Sequence, residues 1–322
     1  MKALVLNALH QPLDFQEIAA PAPGQALVRL HAAALNHRDL YITQGLYAGI
    51  QTPCILGSDG AGEYESRRVV LYPALDWGDD PRAQGKNFRV LGMPDPGTFA
   101  GQISVPPENI YPCPAHLSGS QAAALPLAGL TAWRALFTRC QLRAGERVLI
   151  SGVGGGVALL ALQLALAAGA DVWVTSGSTE KIEKAVALGA RGGANYRTEA
   201  WDKQLKRDAG GGFDVVIDSA AGDGFTALLG LCNPGARVGL YGGTLGKMHG
   251  LSPQLIFWKQ LSLLGSTMGT RAEFAAMLDF ITRQAIIPVV DAVFPLAEGN
   301  DALARLAESR QFGKIVLLNK QE

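Results

Sequence analysis

The chain has 322 residues, enough for two domains with hydrophobic cores of their own. Hydrophobic residues make up 48% of it and charged residues 17%, and 28 Lys and Arg residues balance 28 Asp and Glu residues. The composition indicates a globular protein, and the lack of a basic excess argues against nucleic acid or a membrane surface as a partner.

The beginning of the chain and its cysteines predict where the protein is found. The first residues lack the long apolar core of a signal peptide. Four cysteines are scattered without a CxxC pair, which is typical of buried thiols in a reducing compartment. We therefore expect a cytoplasmic protein.

Residues 1–116 are rich in proline, glycine and short apolar runs, which predicts a mostly β domain. The predicted strands here are Ala3–Leu6, Ala26–Ala34, Arg68–Leu71 and Ile103–Val105. The composition changes near Leu117. From there Ser120–Phe137 has a helical period, with a break expected at Pro126.

Strands and helices alternate from Arg147 onward, which predicts a parallel sheet covered by helices on both faces. The predicted strands are Val148–Ser151, Asp171–Thr175, Val215–Asp218, Arg237–Leu240 and Leu261–Gly265, and the predicted helices include Val157–Ala168, Glu180–Leu188 and Gly224–Leu231. A helix at Ala297–Ser309 and a strand at Lys314–Leu318 are expected to return to the first domain. We predict a first domain of residues 1–116 and 286–322 and a second domain of residues 117–285; the motifs below indicate a catalytic role for the first and a cofactor role for the second.

A glycine-rich turn follows the first strand of the cofactor domain and holds Gly152, Gly154, Gly155 and Gly156. The order strand, turn, helix, strand is typical of a dinucleotide site. Glycines let the backbone approach a pyrophosphate, and the helix N-terminus offers free N–H groups to the anion. The alternative interpretation is a tight turn in an ordinary α/β protein.

The end of the second strand indicates which dinucleotide binds. An acidic residue there would bond the ribose hydroxyls of NAD, but residues 175–178 read Thr-Ser-Gly-Ser. Lys181 follows within one helical turn, and Tyr196 and Arg197 come later. Hydroxyls with a cation suit a 2′-phosphate, so the predicted cofactor is NADPH. Against this, Glu180 lies beside the site, and charged side chains near a helix start are often plain solvated surface.

The chain resembles the medium-chain dehydrogenase/reductase superfamily over essentially its whole length. The matching segments are AALNHRDLYITQGLY (33–47), LGSDGAGE (56–63), LPLAGLTAWRAL (125–136), SGVGGGVALLALQLA (151–165), FDVVIDS (213–219), GSTMGT (265–270) and FGKIVL (312–317). The resemblance implies an α/β fold with two parts: a doubly wound parallel sheet, the Rossmann cofactor domain, and a mostly β, GroES-like catalytic domain.

The zinc-dependent alcohol dehydrogenases of this superfamily have a cysteine where this chain has Asn36 and a histidine where it has Ser58. They also carry a lobe with four closely spaced cysteines, whereas residues 76–112 contain no cysteine. Zinc needs thiolate, imidazole or carboxylate ligands. Both zinc sites are therefore predicted to be absent.

Three polar residues follow Asn36. His37 and Asp39 raise the alternative of a new metal site, but neighbouring side chains on a strand or turn tend to diverge. We interpret His37, Arg38 and Asp39 as a hydrogen-bonded cluster, in which Arg38 is expected to form an ion pair with Asp39 or Asp59.

The remaining pattern resembles the zinc-free quinone oxidoreductase branch, which includes related enoyl reductases. That branch has an asparagine, a tyrosine five residues later and a second tyrosine in a Gly-x-Tyr turn, which match Asn36, Tyr41 and Tyr47. It also has a threonine beside the nicotinamide, matched by Thr131, and tolerates Ala158 as its third cofactor-loop position. The predicted cofactor-binding residues are Asn36, Thr131, Gly152, Gly154, Gly155, Gly156, Val157, Ser176, Lys181, Tyr196, Ser219 and Met268.

The resemblance implies an NADPH-dependent oxidoreductase that transfers hydride to a quinone or an α,β-unsaturated carbonyl. Such acceptors spread the charge that zinc stabilises in the classical enzymes. Tyr47 is the first candidate to hydrogen-bond the developing enolate or donate the proton, followed by Tyr41, and Asn36 is a third catalytic candidate. Two other functions stay open: an alcohol dehydrogenase that uses a metal, and a non-catalytic NADPH-binding or structural protein.

The resemblance also implies a homodimer, with Leu261–Met268 as the pairing edge. The segment after Gly62 is shorter than is usual for the family, which leaves the size of the substrate open.

Overall fold

The computed structural model describes residues 1–21 and 25–319. Contacts divide the chain into two units. The first unit consists of Met1–Leu130 and Thr270–Glu322, and the second unit of Thr131–Gly269. Among the described residues, no helix has both the length and the apolar character needed to cross a membrane.

The strands in chain order are β1 (Lys2–Leu6), β2 (Asp14–Glu17), β3 (Ala26–Ala34), β4 (Cys54–Ile55), β5 (Asp59–Tyr64), β6 (Arg67–Leu71), β7 (Ala74–Leu75), β8 (Arg89–Val90), β9 (Gln102–Val105), β10 (Ile110–Pro112), β11 (Arg147–Ile150), β12 (Asp171–Ser176), β13 (Gly192–Asn195), β14 (Phe213–Asp218), β15 (Cys232–Leu240), β16 (Ser262–Gly265), β17 (Val290–Pro295) and β18 (Lys314–Leu318).

The α-helices are α1 (His37–Thr43), α2 (Gly119–Ala123), α3 (Pro126–Trp133), α4 (Gly156–Ala167), α5 (Thr179–Ala187), α6 (Trp201–Asp208), α7 (Phe225–Leu231), α8 (Pro253–Trp258), α9 (Arg271–Arg283) and α10 (Gly299–Ala307). A π-helical segment, Arg134–Arg139, continues α3, and short 3-10 turns cover Pro107–Asn109 and Leu296–Glu298.

The main sheet of the first unit is mixed and has the strand order β10-β6-β5-β3-β18-β17, with β9 also paired to β3. Two smaller sheets have the orders β2-β1-β4 and β7-β8. The last strand of the chain, β18, runs antiparallel to β3, with Val316 opposite Ala34. It runs parallel to β17 on its other side. The tail therefore contributes two strands to the main sheet, and the site residues on β5 and β18 both lie in it.

The helices next to the predicted domain boundaries belong to the first unit by contacts. Phe274 in α9 packs edge-on against Tyr72 and Tyr111, with ring centroids 5.6 Å and 4.9 Å away. His116 Nε2 lies 3.1 Å from the Ile286 carbonyl oxygen. The second unit is therefore shorter than the predicted cofactor domain, and where the family domains begin and end stays a prediction.

The second unit is a six-stranded parallel sheet with the order β13-β12-β11-β14-β15-β16. Chain order reverses at β11, so the carboxyl ends of β11 and β14 form the crevice in which open α/β sheets bind ligands. Its strands are apolar because helices cover both faces. Helix α4 is accordingly buried along most of its length. The predicted fold class, a doubly wound parallel sheet with a mostly β domain, is confirmed.

Candidate cofactor and active site

The turn between β11 and α4 is the first part of the candidate cofactor site. Gly152 and Gly154 have φ angles of 65° and 132°, in the region that favours glycine. The Val153 N–H donates to the Thr175 carbonyl at 2.7 Å and ties the turn to β12. A Cβ at Gly152 or Gly155 would meet no described atom within 4 Å. The space beside the turn, where the N–H groups at the start of α4 lie, is therefore open to an anion.

The predicted residues Gly156 and Val157 form the first turn of α4. Ala158, the substituted third position of the cofactor loop, is only 2% exposed. A small residue is needed there because the helix packs closely on the sheet. The backbone of this segment fits a pyrophosphate.

Ser176, Tyr196 and Arg197 lie together at the carboxyl end of β12. Ser176 is buried, and its Oγ accepts a hydrogen bond from the Ser178 N–H at 3.2 Å. A Cβ at Gly177 would lie 2.8 Å from Tyr196 Oη and 2.9 Å from Arg197 Nε. The structure thus brings together hydroxyls and a guanidinium, as a 2′-phosphate pocket requires.

The Lys181 side chain reaches from α5 to the glycine-rich turn. A Cβ at Gly154 would lie 2.8 Å from Lys181 Cδ and 3.3 Å from Lys181 Nζ. Glu180, which argued against a phosphate, forms an ion pair with Lys184 at 2.6 Å. The hydrogen bond and charge of Lys184 lower the pKa of Glu180. The acid therefore has a partner on its own helix.

Three further predicted cofactor residues belong to the second unit. Thr131 lies on α3 and is 6% exposed. Ser219 directly follows β14, and its carbonyl accepts a hydrogen bond from the Thr244 N–H at 3.3 Å. Met268 follows β16 and is buried with a φ angle of 47°. Ser219 and Met268 therefore both lie beyond carboxyl ends of strands in the parallel sheet.

The sequence reasoning missed a polar pair at the crevice of this sheet. The Ser151 hydroxyl donates to Asp218 Oδ1, and Asp218 Oδ2 accepts from the Ala221 N–H at 2.8 Å. The two side chains come from the ends of β11 and β14, which are neighbours in the sheet. The sequence signal for this pair was a polar residue at the end of each of these two strands. The pair fixes the backbone that leads into Ser219.

In the first unit, the Asn36 side-chain amide both donates and accepts a hydrogen bond. Its Nδ2 donates to Asp59 Oδ2 at 3.0 Å, and its Oδ1 accepts from Lys314 Nζ at 2.8 Å. Lys314 also donates to the same Asp59 oxygen at 2.8 Å and to the Leu35 carbonyl at 2.6 Å. Lys314 is 4% exposed and Asp59 is fully buried. Lys314, which the sequence reasoning did not select, is the centre of this network.

Arg38 lies in a second network of the first unit. Its Nη1 donates to Ser58 Oγ and to the Leu91 carbonyl, both at 2.8 Å, and its Nη2 donates to the Met93 carbonyl at 3.3 Å. The expectation of an ion pair with Asp39 or Asp59 is wrong for the described residues. Lys314 pairs with Asp59 instead.

Asp39 is fully buried and is held by backbone N–H groups. Its carboxylate accepts from the Asn36 N–H at 2.7 Å and from the Gly57 N–H at 3.2 Å. Burial raises its pKa to about 6, although the Arg38 charge, these hydrogen bonds and Lys314 all act in the opposite direction. The charged form of Asp39 is thus less favourable in the folded protein than in water.

The two candidate tyrosines have different surroundings. Tyr41 lies on α1, half-buried, with its ring centroid 6.2 Å from that of His37. Tyr47 is 40% exposed, and its ring centroid lies 5.2 Å from Arg38 Cζ. Neither hydroxyl has a hydrogen-bond partner within residues 1–21 and 25–319. Both phenols are therefore available to bond another molecule.

The donor set of the first unit does not fit zinc. The atoms at the two positions where zinc-dependent enzymes have ligands, Asn36 Oδ1 and Ser58 Oγ, already accept hydrogen bonds from Lys314 and Arg38. A metal ion there would face two fixed cations. Over the part of the chain that the structure describes, no group of three or more His, Cys, Asp or Glu side chains is arranged to hold a metal.

These observations define the class of protein: a two-unit α/β protein with a dinucleotide-type glycine turn, the architecture of oxidoreductases for which a pyridine nucleotide is expected. Residues 22–115 match the family model for the alcohol dehydrogenase GroES-like domain, and residues 156–283 match the model for zinc-binding dehydrogenases. The chain is 35% identical to a zinc-type alcohol dehydrogenase-like protein, YogA, of Leptosphaeria maculans, over 96% of this chain and 95% of that protein. It belongs to the medium-chain dehydrogenase/reductase superfamily.

Solved structures agree with this assignment. The structure of an NAD-dependent alcohol dehydrogenase superposes with a TM-score of 0.94 and 33% identity, covering 99% of this chain and all of the other. The quinone oxidoreductase of Thermus thermophilus, known also in complex with NADPH, gives a TM-score of 0.83 at 29% identity, covering 99% of this chain and 100% of that one. The chain is thus similar to both kinds of enzyme.

Proposed function

We propose that the protein is a zinc-independent oxidoreductase that uses NADPH to reduce a quinone or an α,β-unsaturated carbonyl. One observation carries the proposal: Lys314 and Arg38 bind the Asn36 and Ser58 oxygens, at the positions where zinc-dependent relatives have metal ligands. Without a metal to polarise a simple carbonyl, a conjugated acceptor is the easier substrate, because its charge spreads onto a distant oxygen.

The preference for NADPH is supported by the end of β12. Ser176, Tyr196 and Arg197 lie together there without an acidic residue, and Lys181 lies against Gly154. A 2′-phosphate would find hydroxyl donors and two cations, whereas a ribose hydroxyl would lack the carboxylate that normally accepts from it. Bound NADPH would supply a hydride to the electron-poor carbon of the acceptor.

The first unit would supply the groups that contact the substrate oxygen. We assign Tyr47 as the donor that hydrogen-bonds the developing enolate and transfers its proton to it, and water then reprotonates the phenolate. Tyr41 is the second candidate. Lys314 and Asp59 hold the Asn36 amide in one orientation, and Asn36 is the third catalytic candidate of this unit. In the second unit, Thr131 and Met268 are assigned to the nicotinamide.

A steady-state screen of NADPH and NADH against quinones, enones, enoyl thioesters and simple alcohols tests the assignment. We expect turnover with a conjugated acceptor, preference for NADPH, and activity that survives dialysis against a chelator. Alcohol oxidation that the chelator abolishes would identify a metal-dependent alcohol dehydrogenase. NADPH binding without oxidation in the whole panel would identify a non-catalytic NADPH-binding protein.

The role of Tyr47 is tested by Tyr47→Phe, with Tyr64→Phe as the matched control on β5. Loss of one oxyanion donor is expected to lower kcat for an enone by about 10- to 100-fold while the KM for NADPH stays the same. Tyr64→Phe should leave both constants unchanged. If Tyr47→Phe turns over at the rate of the native enzyme, the proton comes from another group or from water.

We further propose a homodimer formed through β16, the edge strand of the parallel sheet. An exposed edge strand is a template for pairing with a second copy. The neighbouring helix α8 leaves Phe257 57% and Trp258 78% exposed. Sedimentation analysis should give twice the mass of the 33.9 kDa chain, and a monomer at micromolar concentration would refute this.

The cysteines support the proposed cytoplasmic location. All four are free, and Cys140 and Cys232 are buried. Burial raises the pKa of each of these two thiols to about 12, so they stay protonated and unreactive. Mass spectrometry of protein isolated without reductant should find four thiols in the native protein.

A further inference from the structure

Arg38 is a buried cation to which the proposed reaction gives no role. It is only 9% exposed, and its guanidinium is fixed by Ser58 Oγ and the carbonyls of Leu91 and Met93. Ser58 is itself fully buried and donates to the Leu91 carbonyl at 2.8 Å. The guanidinium therefore has little freedom to move.

The surroundings of Arg38 lower the stability of the folded protein. All the hydrogen-bond acceptors of Arg38 are neutral, and its buried Nε–H has no partner among the described residues. Burying a cation without a bonded carboxylate and leaving an N–H unpaired both cost stability. An unsatisfied group of this kind calls for an explanation.

The Tyr47 ring lies beside the Arg38 guanidinium and indicates a role for it. Tyr47 lies in the turn after α1, where the nearest backbone hydrogen bond is Leu46 N–H to the Tyr41 carbonyl at 2.8 Å. Its ring centroid is 5.2 Å from Arg38 Cζ, within the range of a cation–π contact. Within the described chain, the Tyr47 ring forms no aromatic pair and no second cation–π contact.

We infer that Arg38 is the positioning residue for Tyr47: it holds the phenol by its ring face and leaves the hydroxyl free for the substrate oxygen. The inference rests on the proposed function, in which Tyr47 is the donor to the enolate. A guanidinium suits this task because it is planar and weakly hydrated and stacks on aromatic faces better than an ammonium does. Ser58 then supports a cation, at a position where zinc-dependent relatives have a metal ligand.

The first test does not depend on activity. The protein has seven tyrosines, and 3-fluorotyrosine labelling gives each a ¹⁹F resonance, with the Tyr47→Phe variant identifying the one from Tyr47. Arg38→Met should move this resonance toward the value of a free tyrosine and narrow it. Arg271→Met is the matched control, because its guanidinium lies 5.9 Å from the Tyr72 ring. It should leave the Tyr47 resonance in place.

The second test is kinetic. Arg38→Met should lower kcat for an enone about tenfold with the KM for NADPH unchanged, and Arg38→Lys should restore part of the loss. In a Tyr47→Leu background, where the ring is gone, Arg38→Met should change kcat by less than about twofold, because coupled residues are not additive. A residue that only supports the fold would lower kcat by the same factor in both backgrounds.

Ser58→Ala provides the test if Arg38→Met does not fold. It removes one acceptor of Arg38 with little change in volume, and should shift the Tyr47 resonance in the same direction by a smaller amount. An unmoved Tyr47 resonance in every folded variant overturns the inference. If the native protein reduces no acceptor at all, the proposed function fails, and the ¹⁹F experiment still decides whether Arg38 holds Tyr47.

Discussion

The glycine-rich turn of the second unit and the polar network of the first unit hold their functional groups in opposite ways. In the turn, the groups are backbone N–H donors on consecutive residues, and open space beside Gly152 and Gly155 is the essential feature. In the network, the functional groups are side chains that bond each other, and Lys314 is 278 residues from Asn36 in the chain. One site depends on the absence of a Cβ and the other on buried charges that balance.

This difference indicates how each site fails. A change in the turn should affect ligand binding and leave the network intact, because the turn is tied to β12 by its own N–H groups, which donate to the Thr175 carbonyl and hydroxyl. A change in the network should affect stability, because a buried carboxylate without its cation is costly. Four substitutions, in order of decreasing effect, test this contrast.

Lys314→Met should have the largest effect. It leaves the fully buried Asp59 carboxylate without its cation and removes a donor to Asn36. Loss of one partner from a buried ion pair typically costs about 3–5 kcal/mol of unfolding free energy. Urea unfolding followed by circular dichroism measures the change.

The double variant Lys314→Met/Asp59→Asn is the control for this prediction. It removes both charges, so no unpaired charge remains, and it should recover at least about half of the lost stability. If the single variant loses less than about 1 kcal/mol, the buried pair does not hold the network together.

Asp39→Asn should change how stability depends on pH. The pKa of Asp39 is raised from 3.8 to about 6 in the folded protein, so its contribution is fully present below pH 3.8 and is lost as the pH rises through 6. Relative to the variant, the native protein should lose about 2 kcal/mol between pH 4 and pH 7. Paired urea unfolding curves across this range measure the difference.

The control for this pH effect is Asp279→Asn, which removes a carboxylate from an exposed ion pair with Arg283. Its difference from the native protein should stay within about 0.5 kcal/mol over the same range. A flat difference for Asp39→Asn as well would mean that the buried carboxylate titrates as it does in the unfolded chain.

The sequence predicted the second unit well because its signals are local. In this unit the limits of β11, β12 and α4 were predicted within one residue, although β13 was not predicted. In the first unit the limits of β3 and β18 were predicted without error. Helix α1 was not predicted, since seven residues directly after a strand resemble a turn. A capping bond from the Asn36 N–H to Asp39, visible only in three dimensions, supports that helix.

The site in the first unit could be predicted only in part, because its residues come from distant parts of the chain. Asn36, Tyr41 and Tyr47 belong to one continuous pattern, but the partners of Asn36 come from β5 and β18. A lysine at the start of an apolar strand was a signal, since lysine is rarely buried without a partner. Which carboxylate it would meet depends on the sheet order, which the sequence does not show.

Gly152→Ala should weaken cofactor binding with a modest loss of stability. The new Cβ enters the open space beside the turn and would displace a pyrophosphate, and a φ angle of 65° is strained for alanine. We expect the Kd for NADPH to rise about 30-fold, or about 2 kcal/mol. Fluorescence titration measures it.

Gly145→Ala is the matched control. Gly145 has a φ angle of 81° and equally open surroundings, but it precedes β11 and lies outside the cofactor turn. Both alanine variants should lose similar stability, while the Kd for NADPH should change in Gly152→Ala alone. Equal affinities in the two variants would contradict a pyrophosphate at the turn.

Lys181→Met should have the smallest effect of the four substitutions. It tests whether a side chain beside the glycine-rich turn adds to the binding by backbone groups. If Lys181 contacts the 2′-phosphate, the Kd for NADPH should rise about tenfold, with the Kd for NADH unchanged. Lys184→Met, which breaks the exposed pair with Glu180 one turn further along α5, should leave both affinities unchanged. The gap between NADPH and NADH should also narrow as salt is added. If Lys181→Met weakens both nucleotides equally, Lys181 contacts the pyrophosphate at Gly154, and the preference for NADPH depends on Ser176, Tyr196 and Arg197.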